Sequence, residues 1–174
     1  MIFKMTKQIT IDKDIMFIEI SKLIAEGSCV TITAKGYSMN PFLYHLRDQI
    51  TLGPWTDKDI RKGVVALVRD VRGNVLIHRI IRREGNIIYL EGDGNIGQQE
   101  KATLDGIAGI MHSITRKNRT YTSTNLLWRI YSWSYWKHTA WTCKDKRRFG
   151  KACSWNKRRI WKSKYWNYIR YTKF

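Results

Sequence analysis

Gly63-Val-Val-Ala-Leu-Val-Arg-Asp70-Val-Arg-Gly-Asn-Val75-Leu-Ile-His-Arg-Ile-Ile81-Arg-Arg-Glu-Gly-Asn-Ile87-Ile-Tyr-Leu90 is the stretch that decides the fold. It holds three short runs rich in Val and Ile, at 64–68, 75–81 and 87–90. Gly63 opens the first, Gly73-Asn74 turns the chain into the second, and Glu84-Gly85-Asn86 turns it into the third. Short apolar runs bounded by glycine and asparagine read as strands joined by tight turns. Upstream, Gln49–Leu52 is a strand closed by Gly53-Pro54, and Val30-Thr-Ile-Thr-Ala34 alternates and is β-branched. Residues 14–25 carry apolar positions at 16, 19/20, 23 and 24, a loose helical stripe that Asp12 or Asp14 caps and Gly27 ends. Downstream, Ile107–Ile114 reads as a last strand. One helix followed by about six short strands predicts a mainly β fold, a small compact domain rather than a βαβ repeat.

Charge divides the chain. Its 174 residues contain 32 Lys+Arg and 14 Asp+Glu, a net of +18. Residues 1–115 hold 15 basic and 13 acidic side chains, whereas residues 116–174 hold 17 basic and one acidic, Asp145. Seven of the eight tryptophans also follow residue 116. The reading is therefore a near-neutral β-rich domain over 1–117 and a basic, Trp-rich tail over 118–174, helical or disordered. A nucleic-acid function for the whole protein does not follow from the total charge. No apolar run approaches the ~20 residues that span a bilayer, and the first residues lack the apolar core of a secretory signal. The three cysteines, Cys29, Cys143 and Cys153, form no C-x-x-C pair, so neither a disulfide framework nor a zinc ribbon is expected. His45, His112 and His138 have no carboxylate or cysteine at metal-binding spacing and read as surface or packing residues. Neither a metal nor a cofactor is expected.

Three segments carry candidate chemistry. In Gly36-Tyr-Ser38-Met-Asn-Pro41 a serine stands at a strand-to-turn corner, where backbone N–H groups can hold an oxyanion. In Leu76-Ile-His78-Arg-Ile80, alternation places His78 on the face opposite Ile77 and Arg79; a neutral imidazole there can take a hydroxyl proton. In Leu90-Glu-Gly92-Asp93-Gly-Asn95, Asp93 follows a strand and can orient the imidazole. Each alone has an ordinary structural explanation, as a turn serine, a half-buried histidine and a turn aspartate. In order within one β-rich domain they suggest a serine, histidine and aspartate triad. Asp105 lies in the same stretch and is the alternative orienting acid.

The ordered set Gly36-x-Ser38-Met39-x-Pro41, Gly63-Val-Val, His78-Arg79-Ile80 and Gly92-Asp93-Gly94-Asn95 resembles the serine peptidase superfamily that joins signal peptidase I to the LexA-type self-cleaving repressors. The resemblance covers about residues 10–117 and includes the helix before the first strand and Gly109 in the last. Bacterial signal peptidase I and the repressors have a lysine general base where this chain has His78; the endoplasmic reticulum and archaeal-type signal peptidases have histidine. The resemblance to the histidine type implies a serine endopeptidase with Ser38 as nucleophile, His78 as base and an aspartate orienting it. It also implies the Ser38 N–H in the oxyanion hole and Met39 shaping the substrate cleft. Lys35 and Lys101 fall off the matching position of the base and read as surface charges. Gly63-Val64-Val65 lacks the acid that usually follows this glycine in the family, while Asp48 keeps the earlier acidic turn. Neither a membrane-spanning segment nor a DNA-binding helix-turn-helix is seen ahead of Val30. The expectation is a standalone peptidase that trims a peptide or protein precursor; the rival is a non-catalytic module of the same fold.

In the tail, residues 125–136 suit an amphipathic helix, and Lys144–Arg148 and Lys157–Trp166 interleave cations with aromatics. Trp and Tyr favour the lipid headgroup layer and cations bind anionic lipid. Residues 126–174 are therefore read as contacting an anionic membrane surface, ahead of nucleic acid. A cytoplasmic protein peripheral to the membrane is expected. Cys143 and Cys153 have no acid or histidine partner and are not read as catalytic.

Overall fold

The structure, a computed structural model, describes residues 12–95, 97–126, 128 and 130. Helix α1 spans Lys13–Ala25, and the Asp12 carboxylate caps it by accepting from the Asp14 N–H at 2.8 Å. Gly27, at φ 86°, supplies the left-handed turn that ends it. Eight strands follow: β1 Val30–Thr33, β2 Gln49–Gly53, β3 Val65–Arg69, β4 Val75–Glu84, β5 Ile87–Glu91, β6 Gln99–Thr103, β7 Ile107–Arg116 and β8 Arg119–Thr122. They form one antiparallel sheet in the order β1-β2-β7-β3-β4-β5-β6, with β8 paired to β7.

The sheet buries both faces, and alternation along β3 shows it. Val65 and Leu67 belong to one apolar cluster, Ala66 and Val68 to the other. The first cluster takes Ile20 and Ile24 of α1 with Ile50, Leu52, Met111 and Ile114. The second holds Ile80, Ile88, Leu90, Ala102 and Ile107. Each such aliphatic side chain, fully buried, contributes about 1.5–3 kcal/mol. Gly109 lets α1 approach β7: a Cβ there would lie 2.4 Å from Ile24 Cδ1.

Two strands stand where no strand was expected. β6, Gln99-Glu-Lys-Ala-Thr103, has one apolar residue, Ala102, which pairs opposite Ile88. As an edge strand it needs no apolar alternation, so periodicity does not reveal it. β8 is joined to β7 through Lys117 and Asn118, both at positive φ (49° and 60°), the backbone of a type I′ hairpin. Residues 119–122, expected in the tail, therefore belong to the sheet. The chain divides into Met1–Trp133 and Ser134–Phe174 rather than at residue 117. Trp128 packs edge-on against Phe42, with ring centroids 5.0 Å apart and planes at 78°. Lys144–Arg148, Lys157–Trp166, Cys143, Cys153 and His138 lie outside the described residues. Among the described residues, no helix is long and apolar enough to cross a membrane.

Candidate active site

Ser38 sits in the loop between β1 and β2, and the loop is fastened along its length. At its base the Ala34 N–H donates to Asp48 O (2.9 Å) and the Leu46 N–H to Ala34 O (2.7 Å). Gly36, at φ 113°, makes the bend before the serine, where a side chain would be strained. Its N–H donates to His45 Nδ1 at 2.9 Å, and Tyr37 stacks on that imidazole at 4.9 Å. His45 therefore shapes the serine turn. The Asn40–Pro41 peptide is cis. Met39, Phe42 and Leu43 are buried in the first apolar cluster. Met39, expected to shape the cleft, is 5% exposed and fixes the loop to the sheet instead.

Asp48 closes the loop. Its buried carboxylate accepts from Arg47, from Arg116 Nε (3.1 Å) and Nη2 (2.8 Å), and from the Tyr44 N–H (2.9 Å). Burial pushes this carboxyl up, but the two guanidinium groups and the N–H outweigh it and hold it below the usual carboxylate range. Arg116 also donates to Phe42 O at 2.7 Å, tying β7 to the loop.

His78 reaches Ser38 from β4. Its register partner on β3 is Ala66, so the ring stands on the face of the second apolar cluster, opposite Arg79. His78 Nε2 is 3.0 Å from Ser38 Oγ, and Nδ1 is 3.0 Å from Glu100 Oε2. An ionised carboxylate can only accept, so a neutral ring donates its Nδ1–H to Glu100 and turns the lone pair of Nε2 toward the serine hydroxyl. The histidine side chain is 5% exposed and the Glu100 side chain 24%. Gly92 makes room for this line: a Cβ there would lie 2.5 Å from Ser38 O and 3.0 Å from His78 Nε2. The Gly94 N–H donates to Ser38 O at 2.7 Å, docking the serine turn onto the segment after β5.

Asp93 does not orient His78. It grips Arg79 as a bidentate partner, with Nε to Oδ1 at 2.8 Å and Nη2 to Oδ2 at 2.7 Å, and both side chains are fully buried. Arg79 also donates to Gly63 O and covers the Phe42 ring. The reason is register: Arg79 faces away from His78, and Asp93 falls on the Arg79 side. Asp105, the alternative acid, is exposed in the 3-10 turn between β6 and β7. Glu100 takes the orienting position because β6 pairs it with Leu90, which β5 pairs with Ile80, on the face His78 shares. Sequence reading misses Glu100 because it misses β6; extending the β4-β5 meander by one antiparallel strand would have found it. Lys35 and Lys101 are exposed, the latter 5.3 Å from the Tyr89 ring centroid.

No family model, no curated protein and no solved structure matches this chain. The chemistry is therefore read from the geometry. A hydroxyl hydrogen-bonded to an imidazole, itself backed by a carboxylate, is an arrangement for making a nucleophilic alkoxide near neutral pH.

Proposed function

We propose that the protein is a serine-type endopeptidase acting on a peptide or protein precursor. One observation carries the reading: the continuous Ser38–His78–Glu100 hydrogen-bonded line, with 3.0 Å at each step. The resemblance to the histidine-type branch of the signal peptidase superfamily supports it. Ser38 Oγ attacks the scissile carbonyl as His78 Nε2 takes its proton. Glu100 keeps Nδ1–H in place and stabilises the imidazolium. Among the described residues the Ser38 N–H donates to no carbonyl, so it is available to the oxyanion. His78 returns the proton to the leaving amine, the acyl-enzyme forms, and water activated by the same imidazole releases it.

A fluorophosphonate probe followed by peptide mapping tests this. Ser38 is expected to be labelled in the parent and unlabelled in Ser38→Ala and His78→Ala. A parent that stays unlabelled at Ser38 would make the protein a non-catalytic module of this fold.

We further infer that the C-terminal segment holds the protein at an anionic membrane surface, in the cytoplasm. Its support is 17 basic side chains against one acidic after residue 115. Leu126 and Ile130 add to it, at 66% and 51% exposure.

A further inference from the structure

Beyond β8 the chain returns to the serine loop, where Trp128 makes the contact among the described residues. Trp128 is half-buried against Phe42, four residues after Ser38. Phe42 is a junction. Its carbonyl accepts from Arg116, its ring receives the edge-on contact with Trp128, and the Arg79 guanidinium carbon lies 4.7 Å from its centroid. Arg79 is held by Asp93, and the next residue, Gly94, donates its N–H to Ser38 O. On the loop side, the Leu43 N–H donates to Met39 O at 2.9 Å. A series of packed and hydrogen-bonded groups thus runs from Trp128 to the carbonyls of Ser38 and Met39.

We propose that Trp128 is a positioning residue: it presses Phe42 onto Arg79 and so holds the Ser38 loop in register with His78. Its link to catalysis rests on the peptidase reading above; its effect on the loop does not. Leu126 and Ile130 are exposed on the same short segment, while Trp128 turns inward. The inward tryptophan fixes the start of the cationic tail to the loop that carries the nucleophile. Loss of the segment, or a change in its seating, therefore reaches Ser38.

Hydrogen exchange on the full-length parent, Trp128→Ala and Trp128→Phe tests the proposal with a readout independent of hydrolysis. Removing the aromatic contact is expected to speed exchange of the Gly94 and Leu43 N–H groups about three- to tenfold. Amides pairing β3 with β4 should keep the parent rates, and Trp128→Phe should restore most of the protection. Unchanged Gly94 and Leu43 exchange in Trp128→Ala overturns the proposal, as does a uniform rise across the sheet. The catalytic consequence is read as kcat per site titrated with the fluorophosphonate probe: a several-fold fall, with KM unmoved and rescue by Trp128→Phe, is expected. A per-site kcat equal to the parent's overturns the catalytic half. A parent in which Ser38 takes no probe removes the peptidase reading and leaves the exchange result standing.

Discussion

At the scale of residues, two carboxylates beside β4 have opposite assignments, and substitution separates them. Glu100 touches His78 and is partly exposed; Asp93 touches Arg79 and is sealed. Glu100→Gln keeps the shape but can offer an amide N–H to Nδ1, favouring the wrong tautomer. It is expected to lower kcat by about 10²–10⁴-fold with little change in melting temperature. Asp93→Asn instead removes the bidentate carboxylate from a fully buried Arg79. That change is expected to cost about 3–5 kcal/mol of stability in denaturant titrations. Equal effects on kcat and stability in both variants would reverse this division. Gly92→Ala is a third case, since its methyl group would press on the Ser38 carbonyl and the imidazole together. Probe labelling of Ser38 should fall in that variant by more than its stability loss explains.

At the scale of elements, the strands with apolar patterns were legible in the sequence, and the site was legible only as far as those strands reached. Val65–Arg69, Val75–Glu84 and Ile87–Glu91 follow the expected runs to within a few residues, because a strand with a buried face must show apolar residues there. Ser38 and His78 lie on or beside such elements, and the structure brings them together. β6 and β8 lie at margins of the sheet, have no such need, and took Glu100 and the domain boundary out of view. Asp93 was misplaced for a related reason: sequence order does not tell which face of β4 a loop carboxylate meets. The loop between β1 and β2 depends on one acid. Asp48 has a folded pKa below its unfolded value near 4. Its contribution is therefore complete above pH ~4 and is lost as pH falls through the lower folded value. Thermal melts should show Asp48→Asn less stable than the parent at pH 7, with the gap closing as pH drops below ~4. A gap that persists at low pH would mean that Asp48 acts by packing alone. Helix α1 offers another test. Gly109→Ala should push Ile24 out of its seat and cost about 1–3 kcal/mol in a denaturant titration.

At the scale of the whole molecule, the net charge of +18 lies mostly after residue 115, in the segment proposed above to meet anionic lipid. The near-neutral sheet supplies the hydrogen-bonded Ser38 line, and the excess cations follow it in sequence. The described body exposes Ile15, Ile18 and Leu23 on α1 and single apolar side chains such as Tyr37, Leu46, Leu126 and Ile130, whereas the excess after residue 115 is one of charge, 17 basic side chains against one acidic. Attachment to lipid by the tail would then be chiefly electrostatic, reinforced by tryptophan at the headgroups. Near a charged surface each cation contributes about 1 kcal/mol, and the attraction fades over a Debye length of about 10 Å at 0.1 M salt. Co-sedimentation of the full chain with phosphatidylserine-containing vesicles should be nearly complete at low ionic strength. It should fall steeply toward 1 M salt, where the Debye length is about 3 Å, and be weak with neutral phosphatidylcholine vesicles throughout. Hydrolysis of a short soluble peptide by Ser38 should change little across the same salt series, because it depends on the short-range, half-buried Ser38–His78–Glu100 line rather than on long-range attraction to lipid. Binding that ignores both salt and headgroup charge would remove the electrostatic account of the tail without touching the assignment of Ser38, His78 and Glu100.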